Sequence, residues 1–382
     1  MKEYEEMKGS ILSGGKGTRL RPFTHTQAKQ LLPLANKPIL FYAIESLLEA
    51  GIREIGIVVG DVRAEIQAAV GNGTRWGQDV HITYIHQEAP FGLAHAVKIA
   101  QSFLSRKRFV MFLGDNLISE SLAPLVQEFA GSNYPYQCSI LLAQVSNPSQ
   151  FGVAELEEMP LLIGRNEERS SQFRVRRLVE KPSVPLSNLA LVGVYFFDHS
   201  IFEAIDAIQP SYRGELEITD AIQWLIDHGY DVHAHLLQGY WIDTGNIETI
   251  LAANRKVLET STPMIDSSAS VSPDSMLYDK VIIQAGAHVQ NSIIRGPAIV
   301  GERSIIHNVY VGPFTSIYHD VLVETSEVEC SIILEHSRNT NMQGRIQESI
   351  IGRHAEVSMS PVHLYGYKLI VGDYDRVGIP VL

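Results

Sequence analysis

Cysteine is nearly absent from this 382-residue chain: there are two, Cys138 and Cys330. Neither belongs to a CxxC pair. That argues against a zinc site or a disulfide framework and fits two reduced thiols in a cytoplasmic protein. No apolar run approaches the roughly 18 residues of a membrane span. The opening MKEYEEMK is charged and acidic with no long apolar stretch behind it, so no signal peptide is read there. Positive charge is in deficit: 31 Lys and Arg against 43 Asp and Glu give a formal net charge of −12. Nucleic acids and anionic membranes call for a basic face, so neither is an expected partner. Any phosphate-binding site must be a local cluster of positive groups.

What is present follows two patterns. Up to about Glu259, short apolar runs alternate with helical periods. GSILSG reads as a buried strand ending in glycine, PILFYAIESLLEAG as a helix, EIGIVVG as a strand and VRAEIQAAVG as a helix. VHITYIHQ, GLAHAVKIAQSFL and RFVMFLGD continue as strand, helix and strand. Such alternation predicts an α/β domain, with a Rossmann-like, mostly parallel sheet and helices on both faces. Ligands of such sheets bind beyond the carboxyl ends of the strands. The stretch ETSTPMIDSS, residues 259–268, reads as a linker. After it, aliphatic residues recur every sixth position: Val271, Leu277, Ile283 and Val289, then, after a frame shift, Ile293, Ile299, Ile305, Val311, Ile317 and Val323. A hexapeptide period predicts a parallel β-helix, here of the left-handed kind, with each of these residues pointing into a triangular core. The expected division is a first domain over 1–260 and a β-helix over 261–382.

LSGGKGTRLRP, Leu12 to Pro22, lies at the first strand's carboxyl end. It is not a Walker A loop, because Ser10 stands at the first glycine position and Gly17 follows Lys16. It is not a dinucleotide fingerprint either, because Leu20 stands where the last glycine belongs. The longer string LSGGKGTRLRPFTHTQAKQLLPLANKP resembles the signature of the sugar-nucleotide pyrophosphorylases, which join a nucleoside triphosphate to a sugar 1-phosphate. HQEAPFGLAHA, FLGDN, FGVAE, LVEKP, GVYFF, RGELEITDAI and YWIDTG follow in that family's order. The β-helix extension and NLALVGVYFF resemble a subgroup, the long glucose-1-phosphate thymidylyltransferases.

The resemblance implies a Mg²⁺-dependent attack by the sugar phosphate on the nucleotide α-phosphate. A phosphomonoester has a second pKa of about 6, so its dianion needs no general base. Gly14, Gly15 and Gly17 allow backbone amides to face a triphosphate, Leu12 leads into the loop, and Thr18 adds a hydroxyl. By resemblance, Arg19 binds the triphosphate, Lys29 holds the phosphates in the transition state, and Asp115 and Asp243 hold the metal. Gln87, Pro90 and Gly92 resemble the base-reading loop, with Gln30 assisting. Lys181 resembles the residue that holds the sugar phosphate; Glu180 and the backbone of Gly152 would bind hydroxyls, and Trp241 and Tyr195 would pack near the ring. The residue before Lys29 is usually proline in the family and here is Ala28, which leaves the loop's rigidity open. Glu217 reads as a structural acid in the first turn of a helix.

Alternatives remain: a UTP-using enzyme, a non-catalytic sugar-nucleotide sensor, and a bifunctional enzyme with acetyltransferase activity in the β-helix, which carries His288, His307, His319, His336, His354 and His363. The stackable coils suggest a homo-oligomer.

Overall fold

The computed structural model describes residues 7–15, 17–25, 27–131, 136–158 and 173–359; Lys16 and His363 lie outside them. In the first part, strands β1 (Lys8–Ser13), β2 (Glu54–Val59), β3 (His81–His86) and β4 (Phe109–Leu113) are joined through helices α1 (Ile39–Glu49), α2 (Arg63–Val70), α3 (Leu93–Ile99) and α4 (Gln101–Leu104). A short strand β5 (Asn116–Ile118) and helix α5 (Ala123–Phe129) follow. Then come β6 (Cys138–Gln144), β7 (Gly152–Glu158), β8 (Phe173–Glu180), β9 (Leu189–Phe197), α6 (Ser200–Ala207), α7 (Ile218–Asp227), β10 (Val232–Leu236), β11 (Trp241–Asp243) and α8 (Ile247–Thr260).

Among the described residues, nine strands form one sheet in the order β3-β2-β1-β4-β9-β6-β10-β8-β7. The expected parallel arrangement covers β3, β2, β1 and β4. Beyond them the sheet is mixed: β9 runs antiparallel to both β4 and β6, and β8 is antiparallel to β10 and β7. Side chains alternate across the parallel strands, as the pleat requires. Leu12, Val58, Phe109 and Met111 enter the core beneath α3, α6 and α7. Ile11, Ile57, Val110 and Phe112 enter the opposite core beneath α1, α2 and α5. Both faces are therefore apolar, which is why these strands read as continuous apolar runs. Because β1 to β4 are parallel, their carboxyl ends, at Gly14, Gly60, Gln87 and Gly114, share one edge of the sheet.

Residues 264–358 form stacked parallel strands that fit a β-helix. From Met276 to Val328 equivalent positions lie 17 residues apart, as at Ser292 and Val309 or Ser304 and Val321; the spacing is 18 in the first coil and 16 or 18 toward the last. Seventeen is one short of three hexapeptides, and this corrects the strict six-residue reading. Inward positions advance by steps of six, six and five: Leu277, Ile283, Val289, then Ile294, Val300, Ile306, then Val311, Ile317, Val323. Ile293 and Ile305 accordingly point outward and are 40% and 46% exposed. Ile299 is buried but stands in the outer column with Ser316 and Ile332, which faces the first part of the chain. There, Ile332 and Leu334 pack with Leu20, Leu32, Leu117 and Ile250. A buried Asn254 on α8 ties the parts together: its Oδ1 accepts from Ala35 N at 2.8 Å and from Ser316 Oγ at 2.7 Å, and its Nδ2 donates to Phe314 O at 3.1 Å.

His319, His336 and His354 stack along one corner of the coil, and His319 Nδ1 lies 2.7 Å from Asp320. No helix among the described residues is long and apolar enough to cross a membrane.

The register yields a paired prediction. Ile306→Ala removes a core side chain and should cost about 2–4 kcal/mol of stability. Ile305→Ala should cost well under half as much. Denaturant melts of the two variants check this; equal losses would contradict the 17-residue register.

Candidate active site

The glycine loop is built by close approach. A side chain at Gly15 would meet Lys29 Cε at 2.9 Å, and one at Gly14 would meet Gln87 Oε1 at 2.9 Å. Gly17 adopts φ +63, where side chains are strained, and its carbonyl accepts from Thr24 Oγ1 at 2.7 Å. The 3-10 turn Thr18–Leu20 follows; Leu20 is buried while Arg19 is exposed beside Gly245, about 3.0 Å from where a Cβ there would stand.

Asp115 and Asp243 come from two strand ends that pair. β5 and β11 run antiparallel, with Asp243 opposite Asn116. The Asp115 carbonyl accepts from Thr244 N at 3.1 Å and from Thr244 Oγ1 at 2.7 Å, which fixes the turn after Asp243. Asn116 Nδ2 donates to Asp115 Oδ1 at 3.1 Å, and Trp241 Nε1 donates to Asn116 Oδ1 at 2.5 Å. Helix α8 starts immediately after, capped by Asn246, whose Oδ1 accepts from Thr249 N at 2.9 Å. Lys29 forms a short ion pair with Asp115. Burial, and then the neighbouring Asp115 carboxylate, push the Asp243 carboxyl up to about 6 against the pull of Lys29, Arg19 and Lys181.

A cavity of about 1150 Å³ opens over these groups. Arg19, Asp115, Gly152, Glu180, Lys181, Tyr195, Trp241 and Asp243 all line it. Lys181 N donates to Phe151 O at 3.0 Å, and its residue stands at φ +42. Burial raises the Glu180 carboxyl above the ordinary carboxylate range; Lys181 opposes this and Glu217 adds to it. Burial also raises the Tyr195 hydroxyl, so that side chain stays neutral. Phe151 meets the Trp241 ring edge-on at 5.1 Å.

Lys29 and the nucleotide-loop candidates are absent from the cavity lining. Gln87 is buried beside Gly14, with its Nε2 3.5 Å from Gly92 O and 3.1 Å from His95 Nδ1. Gly92 stands at φ +103, and a side chain there would collide with the Leu216 backbone. Gln30 is buried with no partner on its Oε1, facing Gly15 through its Nε2. Leu12 is buried in the sheet core, while Pro90 and Thr18 are exposed. Four residues passed over in sequence stand out in the structure. Asn116 orients Asp115 and Trp241, and Thr244 fixes the turn after Asp243. Thr219 Oγ1 donates to Glu180 Oε2 at 3.1 Å. Arg213 is clamped by Glu217 at 2.7 Å and reaches Glu180 at 3.4 Å. Arg213 and Thr219 lay inside RGELEITDAI, but Glu180, the partner they share, is 33 and 39 residues away.

The donor set suits a hard divalent cation. Two carboxylates offer only oxygen, and their mutual repulsion is what a divalent charge would relieve.

Asp243 sets a pH test on metal-free protein. Its folded value of about 6 lies above the ordinary 3.8, so folding favours the protonated form. That contribution is complete below about pH 4 and is lost as pH rises through about 6. Asp243→Asn mimics the protonated group. In chelator it should melt above the parent protein at pH 8 and level with it near pH 4, as scanning calorimetry would show.

The nucleotidyl transferase family model matches residues 8–260. Glucose-1-phosphate thymidylyltransferase of Streptomyces griseus is 46% identical over 373 residues, covering 98% of this chain and 99% of that protein. The low-salt glycan biosynthesis nucleotidyltransferase Agl11 of Haloferax volcanii is 42% identical over 375 residues, covering 97% and 99%. A Bacillus anthracis structure described as a glucose-1-phosphate thymidylyltransferase in complex with sucrose superposes with a TM-score of 0.58 at 32% identity, covering 68% of this chain and 98% of that one.

Proposed function

This chain belongs to the nucleotidyl transferase family, and from that membership we infer that it joins dTTP and glucose 1-phosphate to give dTDP-glucose and pyrophosphate. The observation that carries this reading is the convergence of Arg19, Asp115, Lys181 and Asp243 on one cavity of about 1150 Å³. The near full-length likeness to thymidylyltransferases supports it.

The roles assigned here rest on the family resemblance, supported by where the residues stand. Two anions must be brought together, and Arg19 and Lys181 both line the cavity. Lys181 and the Gly152 backbone hold the sugar phosphate and its hydroxyls, with Glu180 as acceptor and Trp241 and Tyr195 against the ring. The loop at Gly14, Gly15, Gly17 and Thr18 presents backbone and hydroxyl donors to the triphosphate, and Arg19 offers a planar fork to the oxygens that leave as pyrophosphate. Lys29 neutralises charge at the α-phosphate. Gln87, with Gln30 and the space at Gly92 and Pro90, receives the pyrimidine. Asp115 and Asp243 would hold Mg²⁺, which when bound supplies charge neutralisation at the α-phosphate. The Lys29–Asp115 ion pair keeps both groups oriented before substrate arrives.

The proposal extends to organisation. Residues 1–260 would be the catalytic domain and 261–382 a left-handed β-helix, a reading supported by the stacked parallel strands over 264–358; residues 360–382 lie outside the described residues. The outward apolar column of Met276 and Ile293 supports a homo-oligomer. Two unpaired cysteines support a cytoplasmic setting.

Pyrophosphate release with glucose 1-phosphate, comparing dTTP and UTP at matched subsaturating concentrations, tests the function. One methyl group is worth ~1–3 kcal/mol, so a preference for dTTP of about tenfold or more is expected. Asp115→Asn should lower turnover at least about a hundredfold. Equal or faster turnover with UTP would refute the thymidylyl assignment.

A further inference from the structure

Lys29 owes its place to the residue before it. Ala28 is 2% exposed and sits in the core with Phe41, Ile44 and Ile66. Its carbonyl accepts from Leu31 N at 2.9 Å, which starts the 3-10 turn Lys29–Leu31. Its own N–H points away from that turn and donates to Glu65 Oε2 at 2.8 Å. Glu65 belongs to the first turn of α2, 37 residues further along the chain. Helix α2 is itself anchored through buried Ile66 and Val70 in the same core. A carboxylate on a rigid helix thus grips the backbone one residue before Lys29. Hydrogen bonds from a backbone amide to a charged acceptor are among the stronger kind, and a buried amide left without its acceptor is costly.

We propose that Glu65 is a positioning residue for the nucleotidyl transfer, acting through the Ala28 amide to hold the Lys29 turn in register with Asp115. This rests on the reading that Lys29 acts on the phosphates. Glu65 itself is exposed and is absent from the cavity lining. Its effect is therefore on geometry, and small displacements of a phosphate-facing cation cost rate more than binding. A second route to the same rigidity is open at this site. Ala28 stands at φ −61, the value a proline ring fixes covalently, and its ψ of 132 is open to proline. With Glu65 shortened to alanine, the ring's Cδ would have room where the carboxylate now sits. Proline at 28 should then replace the hydrogen bond as the constraint.

The test uses the full chain as wild type, Glu65→Ala, Glu65→Gln and the double variant Glu65→Ala/Ala28→Pro. Turnover and hydrogen exchange of the amides of residues 29–32 are followed in all four. Glu65→Ala should lower kcat roughly five- to tenfold with KM for glucose 1-phosphate changed less than about twofold, and should speed exchange in the turn. Glu65→Gln keeps an acceptor oxygen and should stay within about twofold of wild type. The double variant should recover most of kcat and the slow exchange. Wild-type kcat in Glu65→Ala, or faster exchange without loss of kcat, would overturn the proposal. So would a double variant that regains slow exchange but not rate. If the wild type itself fails to turn over dTTP and glucose 1-phosphate, the functional reading falls, and the exchange pattern still decides whether Glu65 holds the turn.

Discussion

Two carboxylates that repel each other are held together at the mouth of this site, and the surrounding structure is arranged around that repulsion. Asp115 and Asp243 reach their places on separate strands, 128 positions apart in the chain, joined by the β5–β11 pairing and the Thr244 turn. Left alone in a half-buried cleft, one of them would hold a proton, and the raised Asp243 value shows that tendency. Lys29, Arg19 and Lys181 partly offset it, each carried by a different loop. A site of this kind is rigid before substrate arrives because its charges restrain one another.

That rigidity needs mechanical support, and much of it comes from apolar contacts beneath the loops. Leu20 follows Arg19, Leu32 follows the Lys29 turn, Leu117 follows Asn116, and Ile250 lies on the helix after Asp243. All four meet in one cluster, together with Ile332 and Leu334 of the coil stack. Arg19, Asn116 and Asp243 line the cavity while a neighbour in sequence is buried. The cluster that holds these loops is therefore partly made of the coil stack.

The sequence made the parallel half of the sheet legible, because strands buried on both faces carry uninterrupted apolar runs between helical periods. The antiparallel half was not legible: β9 looks like any buried strand, and nothing in LALVGVYFF states its direction. The coil stack was visible in its aliphatic spacing, but a period of six could not reveal a 17-residue coil. The misassigned Ile293 and Ile305 come from that single missing residue per coil. At the site, Arg19, Asp115, Gly152, Glu180, Lys181, Tyr195, Trp241 and Asp243 line one cavity, whereas Lys29, Gln87 and the glycines of the first loop are absent from its lining. Arg213, Thr219 and Glu65 act through partners far along the chain, a relation that spacing does not encode. Ala28 read as a loosened loop; the structure shows its N–H, which a proline would lack, donating to Glu65.

The shared cluster under Leu20 changes what kind of object the C-terminal coil is. A detachable module buries its own apolar surface and meets its neighbour through polar contacts. Here Ile332 and Leu334 are 2% and 1% exposed because the catalytic loops cover them, and Leu20 is 1% exposed because they cover it in turn. Asn254 bolts the same seam with two hydrogen bonds to the coil, at Phe314 and Ser316. The coil and the loops that carry Arg19 and Lys29 therefore bury one apolar surface between them. Without the coil, Leu20, Leu32, Leu117 and Ile250 would lose the Ile332 and Leu334 side of their cover, so the underside of these loops is apolar only because the coil is there.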